Sequence, residues 1–212
     1  MIPLRRLSEP AVLAEKRDEW QAKYDERRSA NPKVRPESKQ YAHRQVVETL
    51  EAMSHGKCFY CEGQGTLEVD HYIEVAERGD LVFAWENLYL ACKDCQRKMP
   101  NASISVTDCV DPCDPAIDPA EHLQFDAEFI SFRTLRGELT IKKYCLKRKL
   151  LESDRRRMLQ RFNTDLLEIG KTKPWPTMDA AERERLIHYG RADGVFSLMF
   201  RAYLSKHGIA ER

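Results

Sequence analysis

The sequence predicts an α+β fold, in which a small central block of short alternating segments lies between helical extensions. Three observations predict it. Residues 10–28 and 37–54 carry apolar side chains at helical spacing, and the two prolines of "NPKVRP" separate them. Residues 57–100 contain four cysteines, several glycines and stretches in which apolar and polar residues alternate. Beyond residue 101, helix-like patterns return.

The C-terminal region is expected to combine an acidic loop, a hairpin and helices. Prolines punctuate the loop "DPCDPAIDP", and "EFISFRTLRGELTI" is interpreted as a hairpin that turns near Gly137. Helices are predicted to about residue 168 and again over 179–207, with "KTKPWP" as the break. The apolar run "VFSLMFRAYL" fits either a core helix or a helix that docks on another protein. The predicted regions are an N-terminal helical extension (1–56), a central core (57–100) and a C-terminal region (101–212).

Composition limits the classes of protein that the chain can belong to. Of 212 residues, 42% are hydrophobic and 33% are charged, which is typical of a soluble globular protein. No apolar run approaches the roughly 20 residues of a membrane span, and the basic N-terminus lacks an apolar signal segment. We therefore expect a cytoplasmic protein with no membrane contact. In that compartment thiols stay reduced, so paired cysteines favour a metal site.

Positive charge is concentrated in one part of the C-terminal region. Residues 141–161 contain nine Lys or Arg against only Glu152 and Asp154. A stripe of this kind could follow a phosphate backbone, or it could be a solvated helix face without a ligand. Composition alone leaves both interpretations open.

Four of the seven cysteines form two matching pairs, Cys58 with Cys61 and Cys92 with Cys95. Each pair has the spacing of a knuckle, in which one tight turn offers two thiolates to one ion. A single pair would fit a redox motif equally well, whereas two pairs predict a four-thiolate structural zinc site. Such a closed shell leaves no open position for a substrate, so this zinc is expected to stabilise the fold.

The segment between the two pairs carries polar residues of another kind. "TLEVDHYI" alternates like a strand and ends near Asp70 and His71, and "WENLYLAC" places Asn87 before the apolar run that enters the second pair. Each residue has an ordinary explanation by itself. A histidine can be a satisfied core residue, and an asparagine can cap a turn. Their order between two zinc knuckles makes a shared site the better interpretation.

That order resembles the HNH endonuclease family, whose nuclease core is a ββα-metal finger. The matching elements are "CFYC", "EVDHYI", "WENLYLAC" and "CKDCQRK", over residues 57–100. The resemblance implies a small zinc-stapled ββα nuclease core flanked by helical extensions. It also implies that His71 is the general base, that Asp70 binds a catalytic divalent cation, and that Asn87 orients the loop holding the base.

The third signature residue of the family is usually Asn or His, and here it is Gln96. An amide oxygen suits Mg²⁺ or Mn²⁺, so Asp70 and Gln96 are expected to face one another across a metal-sized gap beside His71. The alternative is a glutamine that points into solvent or bonds the backbone. Arg97 and Lys98 are expected on the first turn of the following helix, where they could grip flanking phosphates.

The wider chain is similar to a narrower group, the HNH subunits of Septu-type and retron-associated antiphage systems. "MIPLRRLSEP", "FAWENLYLAC" and "DPCDPAIDPAEHLQF" carry this resemblance. It implies DNA as substrate and an ATPase subunit as partner. Two alternatives stay open: an HNH nuclease that cuts RNA, and a catalytically inactive zinc-ribbon adaptor that binds nucleic acid or a protein.

Overall fold

The computed structural model describes residues 1–170 and 178–208, and it confirms the predicted α+β class. The predicted helix break "KTKPWP" lies outside the described residues. The described part has no helix long and apolar enough to cross a bilayer. Elements are numbered in chain order below.

The N-terminal extension is helical, as predicted, but its second helix is split. The helices are α1 (Ala11–Ala30), α2 (Ser38–Tyr41) and α3 (Arg44–Ser54). The new helix α3 begins after His43, whose ring Nδ1 accepts a hydrogen bond from the Gln45 amide at 3.3 Å and thereby caps it. Leu13 and Tyr24 of α1 are buried, as are Val46 and Leu50 of α3, so both helices pack on the core.

The central block contains two antiparallel strands, β1 (Leu67–His71) and β2 (Leu88–Cys92), followed by one helical turn, α4 (Lys93–Gln96). Leu67 pairs with Cys92 at one end of the ladder, and His71 pairs with Leu88 at the other. This register separates two functional regions. The second cysteine pair begins at one end of the hairpin, and Asp70 and His71 lie toward the other end.

The predicted hairpin exists, but its position was wrong. Its strands are β3 (Leu123–Asp126) and β4 (Phe129–Phe132), preceded by the single turn α5 (Pro119–His122). The chain turns at Ala127, whose φ is 52°, and not at Gly137. Gly137 instead lies in α6 (Leu135–Lys143), where a Cβ would come within 2.0 Å of the His122 carbonyl oxygen. The glycine therefore marks a close helix contact that the sequence pattern did not distinguish from a turn.

The remaining helices are α7 (Lys149–Gly170), α8 (Ala180–Ile187) and α9 (Ser197–Lys206). The apolar run "VFSLMFRAYL" forms most of α9, and its large side chains are buried within the chain itself. The buried members are Phe196, Leu198, Met199, Phe200 and Leu204. Of the two interpretations of this run, the core helix is the one that the structure supports.

The central block and the C-terminal helices share one core, and Lys57 joins them. Its side chain is buried, and its ammonium donates to the Gly194 carbonyl at 2.6 Å and to Ser197 Oγ at 3.1 Å. It also donates to the Ala192 carbonyl. Burial lowers the pKa of Lys57, but these acceptors offset the cost of an enclosed charge.

The basic stripe of residues 141–161 is not one continuous surface. Lys143 turns inward and donates to the carbonyls of Met99 and Ile104 at 2.9 and 2.8 Å. Arg155 is also buried, where it donates to the Leu146 carbonyl at 2.9 Å. Other members form surface ion pairs, including Arg156 with Glu128 at 2.7 Å. Much of the positive charge therefore serves the fold.

Candidate functional site

The sulfur atoms of Cys58, Cys61, Cys92 and Cys95 lie within 4.8 Å of one another. The Cys61 and Cys92 sulfurs are 3.8 Å apart. A zinc ion at about 2.3 Å from four sulfurs sets each tetrahedral edge near 3.8 Å, so this donor set fits zinc. No other cluster of three or more Cys, His, Asp or Glu with this geometry occurs in residues 1–170 and 178–208.

Backbone contacts explain why the two cysteine pairs meet. The first pair lies in a tight turn that is closed by the Glu62 amide, which donates to the Cys58 carbonyl at 2.9 Å. The Phe59 amide donates to the Leu90 carbonyl at 2.9 Å, which attaches this turn to β2. Because β2 runs directly into Cys92, the attachment holds the first pair against the second.

A side chain that sequence reasoning missed covers this cysteine cluster. The Arg148 guanidinium lies 3.5 Å from the Cys95 sulfur and 3.6 Å from the sulfurs of Cys61 and Cys92. Zinc with four thiolates carries a net negative charge, which a cation at this distance offsets. Arg148 is one of nine Lys or Arg residues in the basic stripe, and nothing in the sequence distinguishes it as the one that points toward the cysteines.

His71 ends β1 with its ring enclosed on two sides. Its Nε2 lies 3.0 Å from the Val82 carbonyl oxygen, and the ring of Tyr41 contacts it edge-on with centroids 4.7 Å apart. A carbonyl only accepts, so Nε2 carries the proton and Nδ1 keeps its lone pair. Burial lowers the pKa of His71 to about 4, so the ring is neutral at neutral pH.

Asn87 secures the segment that follows His71. Its side-chain oxygen accepts from the Ile73 amide at 2.7 Å, and its side-chain nitrogen donates to the carbonyls of Ile73 and Leu81 at 3.2 and 3.1 Å. Asn87 is only 4% exposed. One buried amide therefore binds both ends of segment 73–81, which leads to the carbonyl that His71 contacts.

Two residues of the N-terminal extension support this region and were not predicted. Arg6 donates to the carbonyls of Trp85, Glu86 and Leu88 at 3.2, 3.0 and 2.8 Å, which fixes the turn that presents Asn87. Tyr41 covers the ring of His71. Neither residue type signals such a role, since arginine and tyrosine are common on helical extensions and no local pattern marks these two.

Asp70 points away from His71 along the strand and is held by two donors. Its Oδ2 accepts from Lys98 Nζ at 2.6 Å and from the Tyr60 hydroxyl at 2.8 Å. The side chains of Lys98 and Asp70 are 3% and 10% exposed. Burial raises the pKa of Asp70, although Lys98 and Tyr60 both favour its charged form.

The residues after the second cysteine pair differ in position from what the sequence predicted. Helix α4 ends at Gln96, so Arg97 and Lys98 follow its C-terminal end and do not lie on its first turn. Arg97 is exposed, and its contact with phosphate stays a prediction. Lys98 is turned inward, and its predicted contact with phosphate would require it to leave Asp70.

The predicted pairing of Asp70 and Gln96 around a divalent cation does not fit this arrangement. An ammonium already occupies Asp70 Oδ2, and the Gln96 amide nitrogen donates to the Ala91 carbonyl at 3.1 Å. The glutamine thus takes the alternative geometry, a bond to the backbone. A divalent ion could bind Asp70 Oδ2 only if Lys98 moved.

Comparisons with known proteins concern both the central block and the wider chain. Residues 58–101 match the sequence model of the HNH endonuclease family. The chain is also similar to the Septu protein PtuB of Bacillus mycoides (strain KBAB4), with 25% identity over 166 residues. That similarity covers 61% of this chain and 56% of the relative, so the chain spans about half of the relative's length.

Proposed function

Since residues 58–101 carry an HNH endonuclease domain, we propose that this chain hydrolyses phosphodiester bonds, with DNA as its substrate. The observation that carries the proposal is His71. Its ring is neutral, its Nε2 proton is directed to the Val82 carbonyl, and its Nδ1 lone pair is left to accept a proton. Asn87 holds the segment that keeps this ring in place.

In the proposed reaction, His71 Nδ1 accepts a proton from a water molecule as the water oxygen attacks phosphorus. The bond from phosphorus to the 3′ oxygen breaks, the departing oxygen takes a proton from a solvent water molecule, and the products carry a 5′-phosphate and a 3′-hydroxyl. General-base catalysis of this kind contributes about 10²–10⁴-fold. Asp70 would hold the proposed catalytic cation, Mg²⁺ or Mn²⁺, once Lys98 has left its Oδ2, and this cation would offset the negative charge that develops on the phosphate.

A plasmid-cleavage assay with His71→Ala tests the base. Cleavage in Mg²⁺ or Mn²⁺ should fall by about 10²-fold or more, while zinc content stays unchanged because His71 lies outside the cysteine cluster. His207→Ala, which removes an exposed histidine of the C-terminal region, is the matched control and should cut normally. Wild-type cleavage by the His71 variant would exclude the proposed mechanism.

We further propose that the chain is the effector nuclease of a Septu-type antiphage system and works with an ATPase subunit. The similarity to a Septu protein supports this, and it extends beyond the HNH domain. Because the apolar face of α9 is buried, the partner must bind another surface of the helical regions. Co-expression followed by size-exclusion chromatography tests the complex, and separate elution of the two proteins would contradict it.

One observation favours a second candidate, the inactive zinc-ribbon adaptor. Asp70 is bonded to Lys98, and Gln96 is bonded to the backbone, which is what a decayed metal site would show. The same cleavage assay, run on DNA and on RNA with the co-purified partner present, separates the candidates. An adaptor would bind nucleic acid without cutting either substrate, whereas an RNA-specific nuclease would cut only the RNA.

A further inference from the structure

Lys98 is bound in a compact oxygen site of its own chain. Its ammonium donates to Asp70 Oδ2 at 2.6 Å, to the His71 carbonyl at 2.5 Å and to the Tyr72 carbonyl at 3.2 Å. An ammonium has three N–H donors, and each has one acceptor here. The ring of Tyr60 lies beneath it, with the nitrogen 5.9 Å from the ring centroid.

The oxygen atoms that bind the Lys98 ammonium are also of the type that binds metal cations. One carboxylate and two carbonyls are hard oxygen donors, the type that Mg²⁺ and Mn²⁺ prefer. A divalent ion bonded to Asp70 would lie within a few ångströms of the ammonium, where like charges repel strongly at low dielectric. Lys98 and a divalent ion therefore cannot both occupy Asp70 Oδ2.

We propose that Lys98 and a divalent cation compete for Asp70, so that metal binds there only after the Lys98 side chain has left. The inference rests on the proposed role of Asp70 as a cation ligand. The apparent metal affinity of the free chain is then the intrinsic affinity multiplied by the fraction of molecules in which Lys98 has left the carboxylate.

The exchange needs movement of a side chain and not of the backbone. The Arg97 amide donates to the Lys93 carbonyl at 3.3 Å, and the Met99 amide donates to the Lys143 carbonyl at 2.8 Å. The Lys98 backbone is thus anchored on both sides, and the ammonium can leave Asp70 through rotation about the bonds of its flexible four-carbon stem. A nucleic-acid phosphate is an anion that could receive the displaced ammonium, so nucleic acid and metal should favour each other's binding.

Mn²⁺ titration followed by electron paramagnetic resonance, without nucleic acid, tests the competition. Lys98→Met should bind Mn²⁺ about tenfold more tightly than the wild type. Lys142→Met, which breaks an exposed Lys–Glu pair of 2.7 Å, is the matched control and should bind like the wild type. The double variant Asp70→Asn with Lys98→Met should lose the gain. A folded Lys98→Met that binds no more tightly, or a gain that survives Asp70→Asn, overturns the proposal.

A measurement on the wild type covers the case in which Lys98→Met does not fold. Lysine methylation read by mass spectrometry reports which ammonium groups are accessible. Lys98 should resist methylation in the absence of Mg²⁺. It should become reactive when Mg²⁺ is added at concentrations that occupy the site. Lys57 and Lys143 are internal controls, because both are buried and neither contacts Asp70. If Mg²⁺ binds and Lys98 is still protected from methylation, the proposed competition is wrong.

These results are independent of the nuclease assay. If the chain cuts nothing yet Lys98→Met gains Mn²⁺ affinity through Asp70, the competition stands and the proposed function fails. If the wild type cuts in Mg²⁺ yet metal binding ignores Lys98, only the competition fails.

Discussion

The cysteine cluster and the Asp70–His71 region lie at opposite ends of the same two-stranded sheet, yet they are organised differently. The four sulfurs converge on one point within 4.8 Å. In contrast, Asp70, His71 and Gln96 each bond a separate partner: Lys98, the Val82 carbonyl and the Ala91 carbonyl. The first region is ready to receive an ion, and the second is held by the protein's own groups.

The difference follows from what fixes each region. Two residues three positions apart in a tight turn must present their side chains together, so local spacing builds the cysteine cluster. The other region depends on segments that meet only in the folded chain. Segment 73–81 and the residues after α4 determine which atoms face Asp70 and His71. A prearranged cluster should therefore fail completely when one ligand is lost, whereas the second region should respond in graded steps.

The largest expected effect is the loss of zinc in Cys92→Ala. The apparent binding free energy of structural zinc in small domains is about 10–16 kcal/mol, so the central block should unfold without the ion. Mass-spectrometric zinc content and thermal melting by circular dichroism measure the effect. Cys145→Ala is the matched control, since Cys145 is exposed and outside the cluster. A Cys92 variant that melts like the wild type would show that the ion is dispensable.

Asn87→Ala should come next, because it removes the side-chain partner of the part-buried Ile73 amide and carbonyl and one of the two donors to the Leu81 carbonyl. We expect the free energy of unfolding to fall by about 2–4 kcal/mol and segment 73–81 to exchange its amides faster. Urea melting and hydrogen exchange measure these changes. Zinc content should not change, and Asn31→Ala, an exposed asparagine, should have little effect on either readout. Loss of zinc in Asn87→Ala would mean that the two regions are not separable.

His71 should make stability depend on pH. Its pKa falls from an ordinary 6.5 to about 4 in the folded chain, so the unfolded chain binds a proton first as pH falls. The proton has no effect on the free energy of unfolding above pH 6.5. Between pH 6.5 and 4 it lowers this free energy by about 3 kcal/mol. Urea melts across this range should show a steeper decline for the wild type than for His71→Gln, because acid release of zinc affects both proteins alike. Parallel declines for both proteins would contradict the lowered pKa.

The smallest effect is expected at Arg148, the cation that contacts three sulfurs. Arg148→Met should weaken zinc binding by about tenfold without unfolding the chain, as is usual for groups that support metal ligands. Competition with a chromophoric chelator measures this. Arg157→Met removes a surface cation of the same stripe, paired with Asp154, and should leave zinc affinity unchanged. Equal affinities for the wild type and Arg148→Met would exclude an electrostatic role.

How far the sequence could predict the molecule depended on the range of the interactions. The cysteine pairs and the strand carrying Asp70 and His71 were predictable, because local spacing and alternation determine them. The hairpin at Ala127 was misplaced because Gly137 fits a turn and a close helix contact equally well. The hydrogen bond from Lys98 to Asp70 depends on how the chain folds after α4, and no local sequence pattern predicts it.

The contacts of Lys57 have a consequence for any experiment that transfers the central block to another protein. Lys57 immediately precedes the first cysteine of the cluster, yet all three of its hydrogen-bond acceptors belong to residues 192–197. A fragment that ended near residue 101 would leave this ammonium without acceptors beside Cys58. The block is therefore compact in sequence but not self-sufficient, and a portable version would need Lys57 replaced by an apolar residue or the C-terminal helices supplied with it.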